Sequence, residues 1–210
     1  ELTELLFGYR SPEELKKGGQ VILTEHLQAE LEKVKKFLRG KQIDMTIYEY
    51  GNPDADTVLI QLTGDHELSV LENEVEEIRK RTSIDFRFIA AKVDDWNYEL
   101  SPWKAPAVFG NEDFGVAAAS PSAWFPGFID YVKEHEIKSE TVYLSLGDRE
   151  ERTRNPLMSQ VGNCIQKGYD WLMKCGINCT LEWNQGNHFR EPDIRTAKAF
   201  AWVMEENHRA

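Results

Sequence analysis

Long apolar runs are missing from this 210-residue chain. No stretch approaches the ~18 consecutive apolar residues of a membrane-spanning helix, so none is expected. Cysteine is scarce as well. Cys164, Cys175 and Cys179 are an odd count, too few for a disulfide framework and without the CxxC pairs of a zinc site. They read as free thiols in a reducing compartment. No signal-peptide core lies near the start, and the expected location is the cytoplasm. Positive charge is in deficit, with 25 Lys and Arg against 36 Asp and Glu, a net −11. That field repels nucleic-acid phosphates and anionic membrane surfaces, so neither is an expected partner. His66-Glu67 lacks the second histidine of an HExxH zinc motif. A first-turn acid such as Asp193 is ordinary helix-dipole chemistry. No metal and no cofactor are expected.

What remains is globular composition: 41% apolar residues, with 10 Phe, 7 Tyr and 6 Trp. The length suits a single domain with a sizeable core. Leu27, Leu31, Val34 and Leu38 make one apolar stripe, which predicts a helix over Thr24–Arg39, so that residues 1–40 form an N-terminal helical segment packing on the domain. Strands are predicted at Ile43–Tyr48, Thr57–Leu62, Phe86–Ala91, Val116–Ser120, Thr141–Leu146 and Cys179–Trp183. Helices are predicted at Leu71–Arg81, Phe128–His135, Asn155–Cys175 and Pro192–Glu206. Within the first of these, Glu72, Glu74, Glu76 and Glu77 read as a solvated face. Lys92 to Gly115 reads as an irregular stretch. Strand–helix alternation predicts an α/β fold with a mostly parallel sheet and helices on both faces.

Sheets of that kind place ligand sites beyond the carboxyl ends of their strands. The strand ending near Trp183 runs into Asn184-Gln185-Gly186-Asn187-His188-Phe189. The strand ending near Leu146 runs into Gly147-Asp148-Arg149-Glu150-Glu151, and the one ending at Leu62 into Thr63-Gly64-Asp65-His66-Glu67. An acid at one strand end and a histidine at the next can orient an imidazole and stabilise its charged form. Trp96 and Trp103 either line a ligand pocket or pack the long stretch onto the sheet.

Four segments, Tyr98-Glu99-Leu100-Ser101-Pro102, Ala118-Ala119-Ser120-Pro121-Ser122-Ala123-Trp124, Tyr143-Leu144-Ser145-Leu146-Gly147 and Gly186-Asn187-His188, together resemble the α/β-hydrolase esterases of the enterochelin-esterase-like, esterase-D-like group. The resemblance covers roughly Thr57 to the C-terminus. It implies hydrolysis of a small-molecule carboxylic ester by a Ser–His–acid triad. Carried onto this chain, it implies His188 as the base and Glu150 as the acid, with Asp148 competing, and the backbone at Gly64-Asp65 in the oxyanion hole.

The family's serine sits in Gly-x-Ser-x-Gly, a strained strand-to-helix turn, and none of the 14 glycines belongs to one. Ser120 is followed by Pro121, which has no N–H to serve an oxyanion hole. Ser122 has no neighbouring glycine, Ser145 lies inside a predicted strand, and Cys164 and Cys175 fall at core spacing on a helix. The family's sheet also needs a helix, the elbow strand and another helix between Phe86–Ala91 and Val116–Ser120. Typical element and loop lengths put that deficit on the order of 50 residues, with Gly115-Val116 as the apparent join and one central strand missing there. The chain as it stands is expected to be inactive. The alternative to an esterase is a non-catalytic hydrolase-like domain that binds or interacts.

Overall fold

The computed structural model describes residues 46–93 and 115–209. The helix expected over Thr24–Arg39, the rest of residues 1–40, Trp96, Trp103 and the Tyr98–Pro102 segment lie outside them. The described chain runs β1 (Ile47–Gly51), β2 (Thr57–Thr63), α1 (Asp65–Leu68), α2 (Leu71–Arg79), β3 (Phe86–Lys92), β4 (Gly115–Ala119), α3 (Phe128–Glu134), β5 (Thr141–Gly147), α4 (Val161–Lys174), β6 (Asn178–Asn184) and α5 (Pro192–Asn207). None of these helices is long and apolar enough to cross a membrane.

The fold is mixed α/β. Its six described strands form two three-stranded sheets rather than the single sheet expected, in the orders β1-β3-β2 and β4-β5-β6. β2 runs parallel to β3, and β4 and β6 both run parallel to β5. β1 is antiparallel to β3, with Ile47 opposite Ala91 and Gly51 opposite Arg87. β1 therefore extends past the predicted Tyr48, because its pairing continues to Gly51.

The central strands are the apolar runs of the sequence. Every residue of β5 is buried, as is Phe86 to Ala91 of β3. In β5 the two faces pack on different helices. Val142, Leu144 and Leu146 meet Val161, Ile165 and Leu172 of α4, while Tyr143 meets Ala199 and Val203 of α5. Helices thus cover both faces of this sheet, as a parallel sheet requires.

α5 belongs to both sheets. Ala197, Phe200 and Met204 pack with Leu59, Phe88 and Ala90 and with Leu71, Val75 and Ile78 of α2. The Phe88 and Phe200 rings lie edge to face at 5.8 Å, worth roughly 0.5–1.5 kcal/mol beyond the area they bury. On the other sheet, a Cβ on Gly115 would lie 2.1 Å from Val203 Cγ1, so only glycine lets α5 come this close to β4.

Gly115 and Val116 are consecutive residues of β4, opposite Thr141 and Val142 of β5. The join expected between them is an unbroken stretch of strand. β2 and β4 are not paired with each other; among the described residues each is the last strand of its sheet and is paired on one side. Both are only partly buried, unlike β3 and β5.

Candidate active site

The parallel strands β4, β5 and β6 deliver three loops to one end of their sheet, and the histidine and acid found in the sequence meet there. His188 Nδ1 lies 3.1 Å from Glu150 Oε2. The Glu150 side chain is only 6% exposed, whereas that of His188 is half-exposed. The acid is held on its other oxygen. Glu150 Oε1 accepts bonds from the Gly147 N–H at 2.7 Å, from Ser120 Oγ at 2.7 Å and from Arg195 Nη1 at 3.2 Å.

Burial pushes the Glu150 carboxyl up, but the bonds from His188, Ser120 and Gly147 outweigh it and hold the group below the usual carboxylate range. The same His188–Glu150 bond raises the imidazole above its ordinary value. Burial works against that rise, the Glu150 and Glu67 charges support it, and the Arg195 charge opposes it. An ionised Glu150 makes Nδ1 the donor and leaves Nε2 as the nitrogen that can move a proton.

Asp148, the competing acid, has a different partner. Its Oδ1 accepts the Gly186 N–H at 2.8 Å, while the Asp148 N–H donates to Asn184 O at 2.8 Å and the Arg149 N–H to Gly186 O at 3.0 Å. These bonds fasten the acid loop to the histidine loop. Asp148 sets where His188 sits, and Glu150 touches it.

Gly147 makes the junction possible. A Cβ there would meet Gly186 O at 2.5 Å, Glu150 Oε1 at 2.9 Å and Arg195 Nη2 at 3.1 Å. Gly147→Ala must therefore part the two loops, and we expect a loss of about 1–3 kcal/mol, as for other overpacked sites. Gly168→Ala is the control, since its Cβ would meet only Ile129 Cδ1 at an ordinary 3.6 Å inside α4. It should gain up to about 1 kcal/mol of helix propensity. Thermal denaturation of both variants checks this; equal Tm changes would refute it.

The loop after β2 reaches the same place. The Phe189 ring stands edge-on to His188 at 5.1 Å and to His66 at 5.8 Å, although Phe189 is itself exposed. Gly64, expected to lend its N–H to an oxyanion, gives it to Glu67 Oε2 at 3.1 Å, and the Asp65 carboxylate pairs with Lys92 at 3.1 Å. An oxyanion bound at the Gly64 N–H would have to displace Glu67.

A similar solved structure is the siderophore hydrolase EstA from Aspergillus nidulans. Identity is 14%, the match covers 81% of this chain and 96% of that one, and the TM-score is 0.45. No protein-family model and no curated protein sequence matches the chain.

Arg195 is not legible as a site residue in the sequence, and Ser120 is legible there only as a candidate nucleophile. Arg195 lies on α5, only 3% exposed. Its guanidinium bonds Glu150, Ser120 Oγ at 3.4 Å and Gln185 O at 3.3 Å. The available signal was an arginine on the same helix side as Ala199 and Val203. Ser120 uses its hydroxyl to donate to Glu150. Among the described residues no hydroxyl or thiol is bonded to His188, and no group of three or more His, Cys, Asp or Glu could hold a metal ion.

Proposed function

We propose that this chain carries the acid–base half of a serine-type carboxylic ester hydrolase, within one α/β-hydrolase-like domain. His188 acts as the base, Glu150 orients it and stabilises its charged form, and the substrate is a small-molecule ester. The observation that carries this reading is the His188–Glu150 pair at 3.1 Å, set at the ends of adjacent parallel strands with the second carboxylate oxygen anchored. In such a pair the imidazole takes a proton from an attacking hydroxyl and returns it to the leaving alcohol. The attacking hydroxyl would come from a Gly-x-Ser-x-Gly strand-and-elbow segment, and no Gly-x-Ser-x-Gly occurs in the sequence. Neighbouring strands lie about 4.8 Å apart, so one further strand would seat between edges roughly 9.6 Å apart. Among the described residues β2 and β4 are each paired on one side only, which supports that reading. Three cysteines without disulfides support a reducing, cytoplasmic setting.

A second reading, a non-catalytic binding domain, is favoured by the bonding of Ser120 to Glu150 rather than to His188. Activity separates the two. The chain as it stands should not hydrolyse p-nitrophenyl acetate or butyrate above a His188→Ala control, and should not label with a fluorophosphonate. A chimera with a Gly-x-Ser-x-Gly strand–helix unit inserted ahead of β4 should do both. Its turnover should fall by about 10³-fold or more on His188→Ala, as expected for loss of a triad base. A chimera that labels but hydrolyses equally well without His188 would refute the esterase reading.

A further inference from the structure

Glu150 has more donors than an orienting carboxylate needs. Three of them converge on Oε1, from three different elements: the Gly147 N–H at the end of β5, Ser120 just past β4, and Arg195 on α5. Oε2 is the oxygen presented to His188. Ser120 reaches its place at a conformational cost. Its φ is +53°, in the left-handed region that a non-glycine residue seldom adopts. Pro121 follows it, and a residue before proline ordinarily favours extended backbone. Its N–H still continues the ladder to Ser145 O at 2.9 Å, so the chain turns abruptly after that bond and brings the hydroxyl to the acid. Arg195 joins all the parts. One nitrogen of its buried guanidinium touches both Glu150 and Ser120, and the other holds the carbonyl of Gln185, three residues before His188.

We infer that Ser120 and Arg195 are positioning residues, which together fix Glu150 Oε1 so that Oε2 meets His188 in a single orientation. The inference rests on the reading of Glu150 and His188 as acid and base. It assigns Ser120 a function other than nucleophile, and it explains a strained serine in a loop where glycine would fit more easily.

The charged groups facing His188 are Glu150, Glu67 and Arg195, and of these only Arg195 opposes its charging. That makes the Arg195 test directional. Removing the cation for its charge alone would raise the His188 titration midpoint. Removing an anchor that aims Glu150 would lower it, because the carboxylate would swing off the imidazole. The experiment is an NMR titration of the His188 ring in the full 210-residue chain, with each variant's fold checked from its amide spectrum.

Glu150→Gln comes first and should lower the midpoint. If it does not, the acid–base pair is wrong and the positioning roles fall with it. With that shift in hand, Ser120→Gly and Arg195→Met should each lower the midpoint as well. Glycine suits the backbone at position 120, so Ser120→Gly removes the hydroxyl without adding strain. It decides alone should Arg195→Met fail to fold. An unmoved midpoint in Ser120→Gly, or a raised one in Arg195→Met, overturns the inference and leaves the acid–base pair standing.

Discussion

Replacing Glu74 by glutamine should stabilise the protein at pH 8–9 by on the order of 4 kcal/mol and by almost nothing near pH 4. Glu74 is 1% exposed, inside the α2 face that the sequence presents as a solvated run of glutamates. Its Oε2 accepts one bond, from Gln61 Nε2 at 3.3 Å, while its Oε1 and Gln61 Oε1 are both buried without a partner. Burial pushes the carboxyl up to about 8, from an ordinary 4.5; the Asp193 and Glu67 charges push the same way and the Gln61 bond opposes them. The sign follows from which state holds the proton. Above pH 4.5 the unfolded chain releases it and the folded chain keeps it, so stability declines as pH rises until the folded group also ionises near 8. At about 1.4 kcal/mol per pH unit, that interval sets the size of the effect. Glutamine does not ionise, and its amide can donate to the orphaned Gln61 Oε1. Urea unfolding of both proteins from pH 4 to pH 9 checks this; parallel stability curves would contradict it.

The second large effect is expected at Glu150. Glu150→Ala leaves the Arg195 guanidinium, whose side chain is 4% exposed, with only Ser120 Oγ and the Gln185 carbonyl as partners. Removing one member of a buried ion pair costs about 3–5 kcal/mol, because the remaining charge stays desolvated. The pH dependence identifies the cause. The folded Glu150 carboxyl is held low, so its contribution is present above the ordinary carboxylate value of 4.5 and fades as pH falls through the folded value. The imidazole is held high, so its share is complete below 6.5 and fades as pH rises through its own folded value. The gap between wild type and Glu150→Ala should therefore be widest around pH 5–6 and narrow on either side. A gap below about 1 kcal/mol, or one independent of pH from 3 to 8, would show that the pair does not contribute in this way.

The difference between these two glutamates shows what a sequence can convey. The acid loop was legible because it follows an unmistakable strand, Thr141 to Leu146, and because a histidine follows the next strand; Glu150 within it is what the family resemblance implies. Chain order and the strand-end rule bring such residues together without knowledge of any contact. Asp148 lies in the same loop, and its oxygen accepts the Gly186 N–H rather than meeting His188. Glu74 was not legible. It sits among Glu72, Glu76 and Glu77, and charge at that density ordinarily marks a wet helix face. Burial of one member depends on where β2 places Gln61, a long-range fact. Arg195 was missed for the same reason.

The fold divides similarly. Strands buried on both sides announce themselves by composition, so β3 and β5 were found nearly to the residue. α1 is not legible in the sequence, because its four residues, Asp65–Leu68, hold too little periodicity. The helix predicted from Asn155 becomes regular only at Val161, after a 3₁₀ turn at Met158–Gln160. The division of the described strands into two sheets follows from β2 and β4 not pairing with each other, which neither strand's own sequence can report.

α5 also matters to the chain before it is fully folded. The pairings of the first described sheet close within residues 47–92 and those of the second within residues 115–184. Neither set of pairings includes a residue of the helix that joins them. Until Pro192–Asn207 emerges, Phe88 and Ala90 in one half-molecule and Tyr143 in the other lack part of their apolar cover. A nascent chain paused in that interval exposes two sticky surfaces at once, the condition under which chains misassemble with one another. The joining step also builds Arg195 into the acid's surroundings, so the docking of this helix and the completion of the His188–Glu150 cluster are one event.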